Sequence, residues 1–173
     1  AKNQSAFVWL DEPGLGWVFS GLSGYSDVQA RQDYHSFLDG FDCPRALHLC
    51  ANVNLSYLLE LGVELLSFDA YQMGLMPKGY ADAVADFLRR GGIICWGIVP
   101  TDSENLARET PEKLAELLSG YWEVVSRNTA LPTRQIAEQA LIAPARCCLK
   151  NAGRVGASDD TTSGEARGAS ADA

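Results

Sequence analysis

An α/β fold built on a parallel sheet is predicted by three features of this 173-residue sequence. Short, almost unbroken apolar runs recur along the chain, amphipathic stretches of helical length separate them, and capping residues or glycines fall where one gives way to the next. Parallel strands covered on both faces read as continuous apolar runs, and an alternating strand–helix order implies right-handed crossovers between parallel strands.

About five strands fit this pattern: AFVWLDEP (6–13), RALHLC (45–50), VELLSFDA (63–70), GIICWGIVP (92–100) and ALIAPARCC (140–148). The helices between them carry their own punctuation. Ser26 is a candidate N-cap for a helix over 27–40 that stops at Gly40, and Asn54 for one over 55–61 with Gly62 just beyond its end. The stretch 80–90 is amphipathic and halts at Gly91-Gly92, with Arg89 and Arg90 placed to complement the negative end of the helix dipole. Thr101 to Glu104 has capping-box spacing. Thr110-Pro111 puts proline at the first position of a long helix to about Ser126, and a last helix over 132–139 leads into the final strand.

An open doubly wound sheet and a closed barrel both satisfy this pattern. A complete eight-stranded barrel takes roughly 200 to 250 residues, so a barrel reading requires further strands before the first one seen here. Residues 1–151 are expected to form one partial catalytic domain. From about Ala152 the sequence turns small and polar, with Val155 its one large apolar residue, so 152–173 is expected to be a disordered tail that cannot bury enough surface to offset its ordering entropy.

Hydrophobic residues make up 47% of the chain and charged ones 21%, an ordinary globular balance. The formal net charge of −8 argues against a nucleic-acid surface, which needs clustered Lys and Arg. No apolar run approaches the roughly 18 to 20 residues of a membrane span, and the N-terminus has no signal-peptide pattern. Five cysteines, an odd number, with several in or beside apolar runs, fit a reducing cytoplasm better than a secreted disulfide framework.

The sharpest local feature is His48-Leu49-Cys50 at the end of the second strand. Residues i and i+2 of a strand share a side, so an imidazole and a thiol converge there, and zinc accepts both. Two buried strand residues without a ligand are the plainer reading of that pair alone. Asp69 ends the next strand and Cys147 the last one, and in parallel α/β architecture all these strand ends share one rim. His48, Cys50, Asp69 and Cys147 are therefore the candidate metal ligands. Asp11 and Glu12, before Pro13, place two carboxylates at the same rim and are candidate substrate-binding residues; capping of the following loop is the alternative. His35 reads as a helix-surface residue, Cys43 as a loop residue, Cys95 as a small buried hydrophobe, and Cys148 as facing away from Cys147. Gly14-Leu15-Gly16 completes neither a P-loop nor a dinucleotide fingerprint. Tyr71 and Met73 are candidate pocket residues.

Taken in order, the D-E-P strand end, the H-x-C pair, a strand-terminal acid, and a late C-x-L after a proline-containing strand resemble the C-terminal barrel of cobalamin-independent methionine synthase, and more closely the short single-barrel relatives grouped with uroporphyrinogen decarboxylase. The resemblance spans roughly residues 6–151 and implies the C-terminal part of a (β/α)8 TIM barrel. It implies zinc ligation by His48, Cys50 and Cys147, places Asp69 where the family has a ligating Glu, and puts Asp11 where an acid holds the substrate amino group. Asp is one methylene shorter than Glu, Cys147-Cys148-Leu149 stands where the family has C-G-L, and the polar tail replaces a final helix. The implied reaction is methyl transfer to a thiol, homocysteine above all, from methyltetrahydrofolate or a methyl-corrinoid protein. The alternatives are a decarboxylase-like or corrinoid-linked barrel acting on another small substrate, and an inactive fragment. A separate N-terminal half or self-association would be needed to cover the open edges.

Overall fold

The computed structural model describes residues 6–12, 15, 24–49 and 54–146. Among them are five strands and six helices, with one helix in each of the first three crossovers and three in the last: β1 (Val8–Asp11), α1 (Asp27–Leu38), β2 (Arg45–Leu49), α2 (Leu55–Leu59), β3 (Leu65–Asp69), α3 (Lys78–Arg89), β4 (Ile93–Val99), α4 (Ser103–Arg108), α5 (Pro111–Thr129), α6 (Thr133–Glu138) and β5 (Ala140–Pro144). The strands are all parallel and lie in the order β1-β2-β3-β4-β5. A doubly wound sheet needs that order to reverse at a switch point, and among the described strands it never does. The sheet is not closed, so β1 and β5 are its edges among the described residues.

Local sequence explains most element boundaries. Ser26 caps α1 in a full capping box with Gln29, Asn54 accepts from the Tyr57 amide at the start of α2, and Thr110 accepts from the Lys113 amide one residue before Pro111. Several boundaries shift by a few residues from expectation, and two of the shifts have a visible cause. The α4 cap is Asp102 rather than Thr101, because its carboxylate accepts the Asn105 amide at 2.8 Å while its second oxygen accepts the Asn105 side chain. Strand β5 stops at Pro144 instead of running to 148: the Ala145 amide turns to bond the Val99 carbonyl at 2.7 Å where the β4–β5 register shifts. Arg146 therefore lies past the strand, not within it.

The core occupies one face of the sheet. Alternate strand residues (Leu47 and Leu49, Leu66 and Phe68, Ile94, Trp96 and Ile98) form one cluster with Leu58, Val84, Leu88, Leu118, Tyr121 and Val125 from the helices. The intervening residues face the other way, and they run across the strands in register as Asp11, His48, Ser67, Cys95 and Leu141. An apolar layer under the helices thus backs a mixed polar row on the opposite face. That row leads to the carboxyl rim.

Candidate functional site

His48 is the centre of the polar row and is only 7% exposed. Its Nδ1 lies 2.9 Å from the Ser67 hydroxyl, its register neighbour on β3. A neutral ring donating Nδ1–H to Ser67 keeps the Nε2 lone pair for a second partner, which is the form a metal or a proton acceptor role requires. Burial pushes the imidazole below its ordinary value of 6.5, and the nearby Asp11 and Asp69 charges only partly offset this. The neutral ring is therefore favoured at physiological pH. Trp9 stacks on it with ring centres 6.2 Å apart, and donates its indole N–H to Asp11 at 3.1 Å.

Asp11 stands beside His48 in the β1–β2 ladder, and the next amide, that of Glu12, bonds the His48 carbonyl at 3.0 Å. The two expected substrate-binding acids thus flank the candidate ligand on the edge strand. Glu12 also accepts from Tyr34 of α1, whose hydroxyl is pushed far up first by burial and then by that bond, and so stays a donor. Cys95 continues the row beyond Ser67; burial raises its thiol, opposed by the bond to Ser67. A raised thiol is a poor nucleophile and a poor ligand, in keeping with the expected role as a small buried hydrophobe.

Asp69 sits at the end of β3 with 3% of its side chain exposed, and both its oxygens are engaged. One bonds the Arg146 Nε at 2.8 Å and the other the Gln72 amide at 3.1 Å. Arg146 also bonds the Gln72 side-chain oxygen. Cys50 and Cys147, the two expected thiolate ligands, lie outside the described residues, as do Cys148, Pro13 and the tail from Ala152. Among the described residues, no three His, Cys, Asp or Glu side chains are grouped to hold a metal ion. Of the remaining candidates, His35 is exposed on α1, Cys43 is half-buried in a loop, Tyr71 donates to Glu109 at 2.8 Å, and Met73 packs on the core.

Three partners of the site were not anticipated: Ser67 on His48, Trp9 over His48, and Arg146 on Asp69. A serine two residues before Asp69 in an otherwise apolar run was the available signal for the first, since i and i+2 share a face. Two cavities lie elsewhere, one of about 480 Å³ near Arg45 and Glu64 at the opposite rim, the other of about 550 Å³ between α5 and β5. Among the described residues no helix is long and apolar enough to cross a membrane. No protein-family model matches the chain, and no curated protein matches it significantly.

Proposed function

We propose that the chain is a zinc-dependent methyltransferase of the cobalamin-independent methionine synthase type, acting on a thiol with homocysteine as the foremost acceptor, and that its sheet is the C-terminal part of a (β/α)8 barrel. The observation that carries this reading is the buried, neutral-favoured imidazole of His48, oriented by Ser67 and standing in register beside Asp11 at one rim. The uninterrupted sequential parallel order is that of consecutive barrel strands and supports the barrel part.

Among the described residues His48 and Asp69 are the candidate donors, and the zinc set depends on two cysteines beyond them. Burial favours the neutral His48 ring, and on this reading Cys50, two residues on, and Cys147 supply the thiolates, with Asp69 the fourth candidate. When bound, zinc lowers the pKa of a coordinated substrate thiol, so that the acceptor is a thiolate near neutral pH. Asp11, aimed by the Trp9 indole N–H, pairs with the substrate ammonium, and Glu12 offers a second carboxylate beside it. Methyltetrahydrofolate or a methyl-corrinoid protein is the donor.

The test is the zinc content of the purified chain under reducing conditions, beside Cys50→Ser, Cys147→Ser and His48→Ala. About one tightly held zinc per chain, lost in all three variants, is the expected result. Methionine formation from homocysteine, with methyltetrahydrofolate or methylcobalamin as donor, then identifies the acceptor. A folded wild-type chain that holds no zinc would overturn the metal chemistry and leave the decarboxylase-like barrel or an inactive fragment.

A further inference from the structure

We infer that the trough between α5 and β5 is the docking site of a basic amphipathic helix carried by a partner chain. This surface is separate from the carboxyl-rim site and needs no metal. On the helix-covered face of the sheet, Trp96 of β4 is wholly buried, while its register partner on β5, Ile142, is 64% exposed. The helix layer makes the difference. α5 packs over β4 and against α3, and among the described residues no helix packs as closely over β5. What remains is a trough of about 550 Å³, lined by Leu106, Leu114, Ala115, Trp122 and Ile142 among others. Leu106 and Ile142 are both more than half exposed, so a docked helix would bury them.

Three columns of side chains along α5 set the chemistry of this trough. Leu114, Leu118, Tyr121 and Val125 pack on the core. Pro111, Ala115, Leu118 and Trp122 line the trough, a run of roughly 16 Å at the helical rise. One residue further round at each level come Glu112, Glu116, Ser119 and Glu123, all exposed, with Ser119 still touching the trough. Glu109 stands at one end. Glu123 pairs with Arg127, whereas Glu112 and Glu116 form no ion pair among the described residues. An apolar trough about three turns long with an unbalanced acidic border matches a helix that carries an apolar stripe at i, i+4 and i+7 and flanking Lys or Arg.

Charge sets the other occupants aside. In residues 152–173 the acids outnumber the basic residues, and Val155 is the one large apolar side chain. A second copy laid symmetrically on the same trough would bring one acidic column against another, which like-charge repulsion opposes.

The experiment titrates the full chain into labelled peptides and reads fluorescence anisotropy. Two peptides share a leucine stripe at i, i+4, i+7 and i+11, one flanked by Lys and the other by Glu; a third is the Lys peptide with its order scrambled. The Lys-flanked stripe is expected to bind about tenfold tighter than either of the others. Glu112→Lys together with Glu116→Lys should reverse the preference between the two striped peptides. The same charge change at Asp33 and Asp82, exposed on α1 and α3, should leave it in place. Ile142→Ser removes an anchor and Ala115→Trp fills the trough, and each should weaken the Lys-flanked peptide about tenfold, with circular dichroism confirming the fold. A scrambled peptide that binds as tightly as the striped one would reduce the attraction to net charge and overturn the inference. No binding of the Lys-flanked stripe, or a preference that the Glu112 and Glu116 reversal leaves unchanged, would overturn it as well. So would a wild-type dimer in light scattering that Ile142→Ser dissociates, since a second copy would then be the occupant. None of these readouts involves zinc, so failure here is separable from failure of the methyltransferase reading.

Discussion

Gly97→Ala is expected to destabilise the protein, although alanine is a better strand residue than glycine by every local measure. The added methyl would gain about 0.8 kcal/mol from burial, and the loss of glycine's backbone freedom in the unfolded chain another 0.5 to 1 kcal/mol, roughly. Against these stands overlap with backbone atoms of two separate elements: the Phe68 carbonyl on β3 and the turn at Pro144 and Ala145. None of these is the end of a side chain that can swing aside, so relief requires β5 and its turn to move off β4. Overpacking of that kind costs about 1 to 3 kcal/mol net, or a fall of roughly 3 to 10 °C in Tm for a chain of this size. Gly120→Ala is the matched control, since Gly120 lies exposed within α5 with nothing near its Cβ, and it should stabilise by about 0.5 to 1 kcal/mol. Thermal and urea unfolding followed by tryptophan fluorescence measure both. A Gly97→Ala protein as stable as wild type, beside the expected rise for Gly120→Ala, would refute the pinned crossing of the turn over β4.

Ser67→Ala should lower stability by about 1 to 3 kcal/mol in the metal-free chain, because it leaves the buried Nδ1 of His48 without this partner; urea titration reads it, and a change within error would show that the contact carries no net weight. Tyr121→Phe removes the buried bond from its hydroxyl to the Ala70 carbonyl at 2.9 Å, which ties α5 to the end of β3, and should cost about 1 to 2 kcal/mol with the Trp96 stacking retained in near-ultraviolet circular dichroism. Glu64 has its carboxyl held below the usual 4.5, first by the side-chain bonds from Arg45. A depressed folded-state value means that its contribution is complete above 4.5 and fades as pH falls through the lower folded value. Glu64→Gln should therefore flatten the acid side of the stability–pH curve while changing neutral stability by no more than about 1 kcal/mol, since the pair is partly exposed.

The α/β class, the five strands and most helix starts were legible in the amino-acid order, because each depends on neighbours a few residues apart. Ser26, Asn54 and Thr110 satisfy amides three residues on, and the apolar runs of β2, β3 and β4 report burial on both faces wherever those strands sit in the sheet. Strand alternation likewise placed His48 among residues of one face, and parallel order placed Asp11, His48 and Asp69 at one rim. Strand order was another matter. Sequential and reversed arrangements share the same local pattern, and only the pairing of β1 through β5 selects between them. The partners of the site also belong to tertiary structure. Ser67 meets His48 through register, a property of two strands together, and Arg146 meets Asp69 only because Gly97 lets the chain pass over an intervening strand. Residues 77 apart in sequence carry no local sign that they will form an ion pair. Sequence alone determined which side chains reach the rim; tertiary contact decided which partner each carboxylate meets there, Trp9 for Asp11 and Arg146 for Asp69, because a buried charge takes the partner the fold brings to it.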